Sequence, residues 1–126
     1  MSFTVRLTKN RKTVLVEPHS EGPNIQMDIT YQIDNKMLGG TREATMDITY
    51  NYSPFYYKTI NEKNGLRHLH GMKASRAIPI LKQAIRILGT TPSYNYWTSD
   101  AGNAGKALAT LLTWAEQHPN AIIEVY

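Results

Sequence analysis

Ala74-Ser75-Arg76-Ala77-Ile78-Pro79-Ile80-Leu81-Lys82-Gln83-Ala84-Ile85-Arg86-Ile87-Leu88 is the stretch at which the hydrophobic period of the chain changes. Wound as an α-helix, it gathers Ala74, Ala77, Ile78, Leu81, Ile85 and Leu88 into an apolar arc of about 100°. Arg76, Lys82, Gln83 and Arg86 fall on the opposite side. Ser75 can cap the start, and Gly89 can end the helix as a left-handed C′ residue. Pro79 lacks an N–H, so it belongs in the first turn or kinks the helix.

C-terminal to this stretch, the same period returns from about Ala104 to Gln117. Ala107, Leu108, Leu111, Leu112, Trp114 and Ala115 form its apolar side, and Lys106, Thr110, Thr113, Glu116 and Gln117 its wet side. Asn103 is placed to act as N-cap, and His118-Pro119-Asn120 stops the helix. Ala121-Ile122-Ile123-Glu124-Val125-Tyr126 then has the composition of a strand, pairing either with the sheet or with another copy of the chain.

N-terminal to it, the pattern is period two. Thr4-Val5-Arg6-Leu7-Thr8 alternates as a half-buried strand does, Lys9-Asn10-Arg11-Lys12 is a polar turn, and Thr13-Val14-Leu15-Val16 begins a return strand. Pro18 to Pro23 reads as a loop. Two further strands are expected around residues 25–33 and 43–52, separated by Asp34-Asn35-Lys36 and Gly39-Gly40-Thr41. Both contain Met-Asp-Ile-Thr-Tyr, at 27–31 and 46–50, and present Met, Ile and Tyr on one face with Asp and Thr on the other. These elements predict an α+β fold: an N-terminal antiparallel sheet of four to five strands with two C-terminal helices on one face. The chain reads as a single domain over 1–126, β-rich in 1–58 and helical in 72–118, with a possible closing strand at 121–126. Self-association into a homo-oligomer would cover the remaining sheet face and edges.

Composition limits what such a domain does. With 41% hydrophobic and 19% charged residues, the 126-residue chain can build a core. No run approaches the about 18 apolar residues of a membrane span, and Met1–Lys12 has no apolar leader region. The absence of cysteine excludes thiol and zinc-thiolate chemistry and fits a cytoplasmic setting. The net charge of +4 is uneven: residues 1–60 hold seven Lys/Arg and six Asp/Glu (+1), residues 61–126 seven and four (+3). A basic excess of this kind attracts anionic partners, although ordinary solubility charge is the plainer explanation.

Catalytic groups are sparse. His68 and His70 lack an indicated third metal ligand, and His118 suits a helix C-terminus as a dipole partner. Asp28 and Asp47 occupy equivalent repeat positions, where a solvated face explains them more simply than paired-acid catalysis. No Gly-x-Ser-x-Gly motif is present. The chain is therefore expected to be no enzyme, with no cofactor and no metal. Thr98-Ser99-Asp100-Ala101-Gly102-Asn103-Ala104-Gly105-Lys106 is either a plain capped helix start or an anion contact, where exposed N–H groups meet the dipole. It is no Walker A loop. The aromatic residues cluster: Tyr50, Tyr52, Phe55, Tyr56 and Tyr57 follow the last main strand, and Tyr94, Tyr96 and Trp97 lie between the helices. Two Phe against eight Tyr favours semi-exposed rings, with Tyr50 and Trp97 expected to serve the core.

Residues 48–121 resemble small uncharacterised proteins of bacteriophages and prophages. The resemblance is carried by Ile48-Thr49-Tyr50-Asn51-Tyr52-Ser53-Pro54, Ile78-Pro79-Ile80-Leu81, Asn95-Tyr96-Trp97, Gly102-Asn103-Ala104-Gly105 and Trp114-Ala115-Glu116-Gln117-His118-Pro119-Asn120-Ala121. The order of sheet then two helices is also similar to the Thoeris anti-defence sponge proteins of phages. That resemblance implies symmetric oligomers that sequester cyclic ADP-ribose-type signals in a bacterial cytoplasm, without cleaving them. No ligand-contacting residue of that family is carried over to a position here.

Together these observations predict a non-catalytic protein that sequesters a small, phosphate-bearing, nucleotide-like signal of the cyclic ADP-ribose or cyclic oligonucleotide type. Tyr56, Tyr94 or Trp97 would stack on a base. Asn51, Asn95 or Asn103 would bond ring edges or ribose, and Arg67, Arg76 or Lys106 would meet phosphate. The alternative is an inhibitor or accessory protein gripping a host or phage protein through the same Tyr-rich surface. Nucleic acid is not an expected partner, since no recognition motif or continuous basic stripe is present.

Overall fold

Phe3, Val5 and Leu7 alternate with Ser2, Thr4 and Arg6, and this alternation sets the central strand of the sheet: the first three are buried and the others half-exposed. In the computed structural model, residues 1–19, 32–33, 36–37, 41–93, 95 and 98–126 are described. The strands are β1 (Ser2–Lys9), β2 (Lys12–Thr13), β3 (Leu15–His19), β4 (Gln32–Ile33), β5 (Lys36–Met37), β6 (Thr41–Glu43), β7 (Thr45–Thr49) and β8 (Ile122–Val125). The helices are α1 (Ser53–Thr59), α2 (Ala74–Leu88) and α3 (Ala101–Gln117), with 3-10 turns at Tyr50–Tyr52 and Gly65–Leu69.

The main sheet is antiparallel and four-stranded. Val5 pairs with Met46 of β7 and with Val125 of β8, so these strands flank β1 on opposite sides. Thr8 likewise pairs with Thr13 and with Ile122, which puts β2 on the β7 side. The closing strand thus joins the chain's own sheet, the first of the two pairings the sequence left open. Its outer edge is covered by residues 70–73. The Val125 N–H donates to His70 Nδ1 (3.0 Å), the Gly71 N–H to the Ile123 carbonyl (2.7 Å) and the Ile123 N–H to the Met72 carbonyl (2.9 Å). β3 pairs with β6, and β4 with β5, as separate two-stranded ladders.

The β1–β2 turn puts both Asn10 (φ 55°) and Arg11 (φ 66°) in the left-handed region, as a two-residue hairpin of this hand requires. Asparagine tolerates that conformation. Arginine does not, and the chain is strained there. Arg11→Gly is expected to raise stability by about 0.5–1 kcal/mol, measured by urea unfolding with an unchanged m-value.

One buried face of the sheet carries Phe3, Val5, Leu7, Met46, Ile48, Ile123 and Val125, and all three helices cover it. The predicted fold class therefore holds: α+β, with the two long C-terminal helices packed on one face. α2 packs against α3, most closely where Gly105 meets Leu88 and Gly89, and Ala77, Ala84, Ala104 and Ala107 of the two helices are fully buried. Gly89 (φ 76°) ends α2, as expected, and Lys73 rather than Ser75 is the N-cap. Pro79 sits in the second turn and faces outward, so its missing N–H costs a single helical bond. No helix among the described residues is long and apolar enough to cross a membrane.

Two expectations change. The strand read as 43–52 ends at Thr49, whose Oγ accepts the Asn51 N–H (3.2 Å) and opens the 3-10 turn. The Pro54-containing segment after it, which fell within the β-rich 1–58, is helical, because proline is pre-set for a helix's first turn. The repeat copy at 27–31 and Asp28 lie outside the described residues, as does most of the strand read at 25–33.

Candidate functional site

Between Glu62 and Asp100 the sequence holds Lys63, Arg67, Lys73, Arg76, Lys82 and Arg86 and no Asp or Glu. The fold puts all six on the surface. α2 buries Ala74, Ala77, Leu81 and Ala84, which leaves Arg76, Lys82 and Arg86 on its solvent side. Only Lys82 has an acidic partner among the described residues, Glu116 at 3.8 Å. Both side chains are about half exposed (54% and 50%), so that pair neutralises little. Arg86 donates to Gln83 Oε1 (3.2 Å), a neutral partner that leaves its charge uncompensated. A surface with unopposed charge of one sign raises the local concentration of oppositely charged ligands.

Arg67 is placed differently from the other five. It lies on the outer side of the Gly65–Leu69 turn, which the buried side chains of Leu66 and Leu69 anchor to the core. Its guanidinium carbon is 4.8 Å from the Phe3 ring centroid and 6.0 Å from that of Tyr50, and these two rings pack edge to face at 4.6 Å. Asn51 is exposed next to Tyr50 in the chain, so the fold brings Asn51 and Arg67 to the same end of the sheet.

No family model, curated protein or solved structure matches this chain. The candidate site therefore stands on geometry alone.

The other predicted residues scatter. Tyr56 is fully buried and donates its hydroxyl to the Ala104 carbonyl (2.9 Å), so it has no ring face for a ligand and is a core residue. Tyr52, fully buried as well, joins it edge to face at 6.4 Å, whereas Tyr50, expected inside, is only half-buried. Asn103 is fully buried and works as an internal clamp. Its Oδ1 accepts the Ser93 N–H (2.9 Å), and its Nδ2 donates to Ser93 Oγ (2.9 Å) and to the carbonyls of Asn95 (3.0 Å) and Thr98 (3.2 Å). That excludes the ligand contact expected of it, and the N-cap role as well. Asn95 is exposed and offers its carbonyl to this clamp. Lys106 is half-buried, and Arg76 stays on the outer face of α2. Tyr94 and Trp97 lie outside the described residues.

The start of α3 is not an open anion cradle either. Asp100 is the N-cap, and its Oδ1 accepts from the N–H groups of Gly102 (2.8 Å) and Asn103 (3.3 Å). The helix end already holds a carboxylate, and a second anion would be repelled. Gly102 and Gly105 are required for another reason: a Cβ at either would overlap a backbone carbonyl oxygen, that of Thr91 or Gly89.

Two further features were not anticipated. A cavity of about 260 Å³ is lined by Leu15, Val16, Glu17, Arg42, Gln117 and His118. In its wall, His118 Nε2 lies 2.9 Å from the Leu15 carbonyl, so the imidazole ties the end of α3 to β3, a structural role of the kind expected for it. His70, weighed in sequence as a metal ligand, serves the edge of β8, where its ring meets Tyr126 at 5.4 Å. Neither pairing is visible in sequence, because each joins segments far apart in the chain.

Proposed function

We propose that the chain is a non-catalytic binding protein for a small phosphate-bearing ligand of the nucleotide class, met on the basic surface built by residues 63–86. The observation that supports this reading is charge segregation: six exposed cations in a stretch without a carboxylate, only one of them ion-paired among the described residues. Phosphate is the complement of such a surface, because it carries up to two charges and accepts several charge-assisted hydrogen bonds. The signal sequestration implied by the sponge resemblance is the narrowest form of the same reading.

Calorimetric titration against cyclic nucleotides, cyclic dinucleotides and ADP-ribose derivatives tests it. Binding is expected to weaken as salt rises from about 0.05 to about 0.2 M, since exposed cations are screened over that range. The bound ligand should be recovered chemically unchanged. No heat from any member of the panel, or an affinity indifferent to salt, overturns the reading.

A further inference from the structure

Among the described residues two arginines lie over aromatic rings, and their surroundings differ. Arg6 stands on the outward sheet face with its guanidinium carbon 5.5 Å from the Tyr126 ring centroid. It pairs in register with Glu124 of β8, and its Nε is buried without a hydrogen-bond partner. An acidic residue thus stands beside it in the sheet, and one of its donors is shut away from any ligand. Arg67 is exposed, stands over two rings, and belongs to the stretch that holds no carboxylate. Among the described residues its guanidinium makes no hydrogen bond and no ion pair.

A guanidinium held on a ring face has already lost much of its side-chain freedom, and its N–H fork remains available for a planar, two-point contact. Lys63, Lys73, Arg76, Lys82 and Arg86 are exposed on flexible stems without ring support among the described residues; Arg86 bonds to Gln83 of its own helix, and Lys82 reaches Glu116 of α3. They attract an anion without orienting it. Tyr50, half-buried beside Arg67, is the second ring of this support.

We propose that Arg67 is the anchoring residue of the ligand surface, taking two oxygens of one phosphate group while its guanidinium rests on Phe3 and Tyr50. This rests on the phosphate-ligand reading above and adds to it the residue that fixes the ligand's position. A free nucleotide and a single-stranded nucleic-acid backbone offer the same phosphate chemistry, so both enter the test.

The experiment follows the arginine Nε–Hε signals of the intact chain by NMR, together with binding constants, for inorganic phosphate, ADP-ribose, cyclic ADP-ribose and a short single-stranded oligonucleotide. The Arg67 signal is expected to shift on binding, and both Arg67→Ala and Arg67→Lys should lose roughly tenfold or more in affinity, the lysine because it keeps the charge but not the fork. Arg76→Ala, lacking the ring support, should lose only about twofold to threefold. A preference for the mononucleotides identifies a free nucleotide; tighter, steeply salt-dependent binding of the oligonucleotide identifies a nucleic-acid backbone. Should Arg67→Ala fail to fold, the wild-type Arg67 shift and the lysine variant still decide. Wild-type binding with a stationary Arg67 signal, or with full affinity in Arg67→Lys, overturns the anchor and leaves the basic-surface reading standing. If no probe binds the wild type, both are overturned.

Discussion

Asn103→Asp is expected to destabilise the chain by roughly 3–5 kcal/mol at neutral pH, the cost of a buried charge left without a partner. The amide donates to Ser93 Oγ and to the carbonyls of Asn95 and Thr98, and a carboxylate can make none of these bonds. It would instead set its charge against three oxygen acceptors in a site with no solvent access. Burial favours the neutral acid, so the introduced carboxyl has a folded pKa above its unfolded value. The folded variant then binds more protons than its unfolded chain, and its stability falls as pH rises through that folded pKa. Thermal melts should therefore show the Asn103→Asp variant nearer to wild type at about pH 4 than at about pH 7, while Asn103→Ala shows a pH-independent deficit of about 3 kcal/mol. A pH-independent deficit in Asn103→Asp would show that the clamp is open to water.

Gly105→Ala should cost about 3 kcal/mol, seen as a fall of roughly 10 °C in Tm, even though alanine is the better helix former. A Cβ at this position would overlap the Gly89 carbonyl oxygen and crowd Leu88 Cβ (3.2 Å), so the end of α2 must move as a unit away from α3. Backbone cannot step aside as a side-chain tip can. Gly89→Ala is the comparison: its Cβ meets nothing within 4 Å, but its φ of 76° disfavours any side chain. That variant should lose about 1–3 kcal/mol, the penalty for a side chain at φ 76° and ψ −179°, a region that essentially only glycine adopts. Gly105 has no positive φ, so a loss below about 1 kcal/mol in Gly105→Ala would mean that close approach is not what selects glycine there.

Asn103 and Gly105 belong to the segment whose sequence fits either a plain capped helix start or an anion contact, and the reason sequence leaves both open is physical. A glycine-rich helix start looks the same in sequence whether its bare backbone faces a phosphate or another stretch of chain. What separates the two is the path of residues 89–93, brought onto α3 by the packing of α2. Tyr56 failed for a related reason. An excess of tyrosine over phenylalanine points to wet rings only when the hydroxyls have no internal acceptor. Here the carbonyl of Ala104, 48 residues away, supplies one.

The alternation of Phe3, Val5 and Leu7, the apolar arc of α2 and the turn at Asn10 and Arg11 determined the elements and the α+β class from sequence alone. They are local consequences of side-chain period and backbone sterics. The basic stretch between Glu62 and Asp100 is equally a property of sequence. Only the tertiary structure decided that β8 closes on β1, that Asn103 looks inward, and that Arg67 rests on Phe3 and Tyr50. Each of these depends on contacts between residues distant in the chain, whose geometry is set by how the whole core packs rather than by any neighbour in sequence.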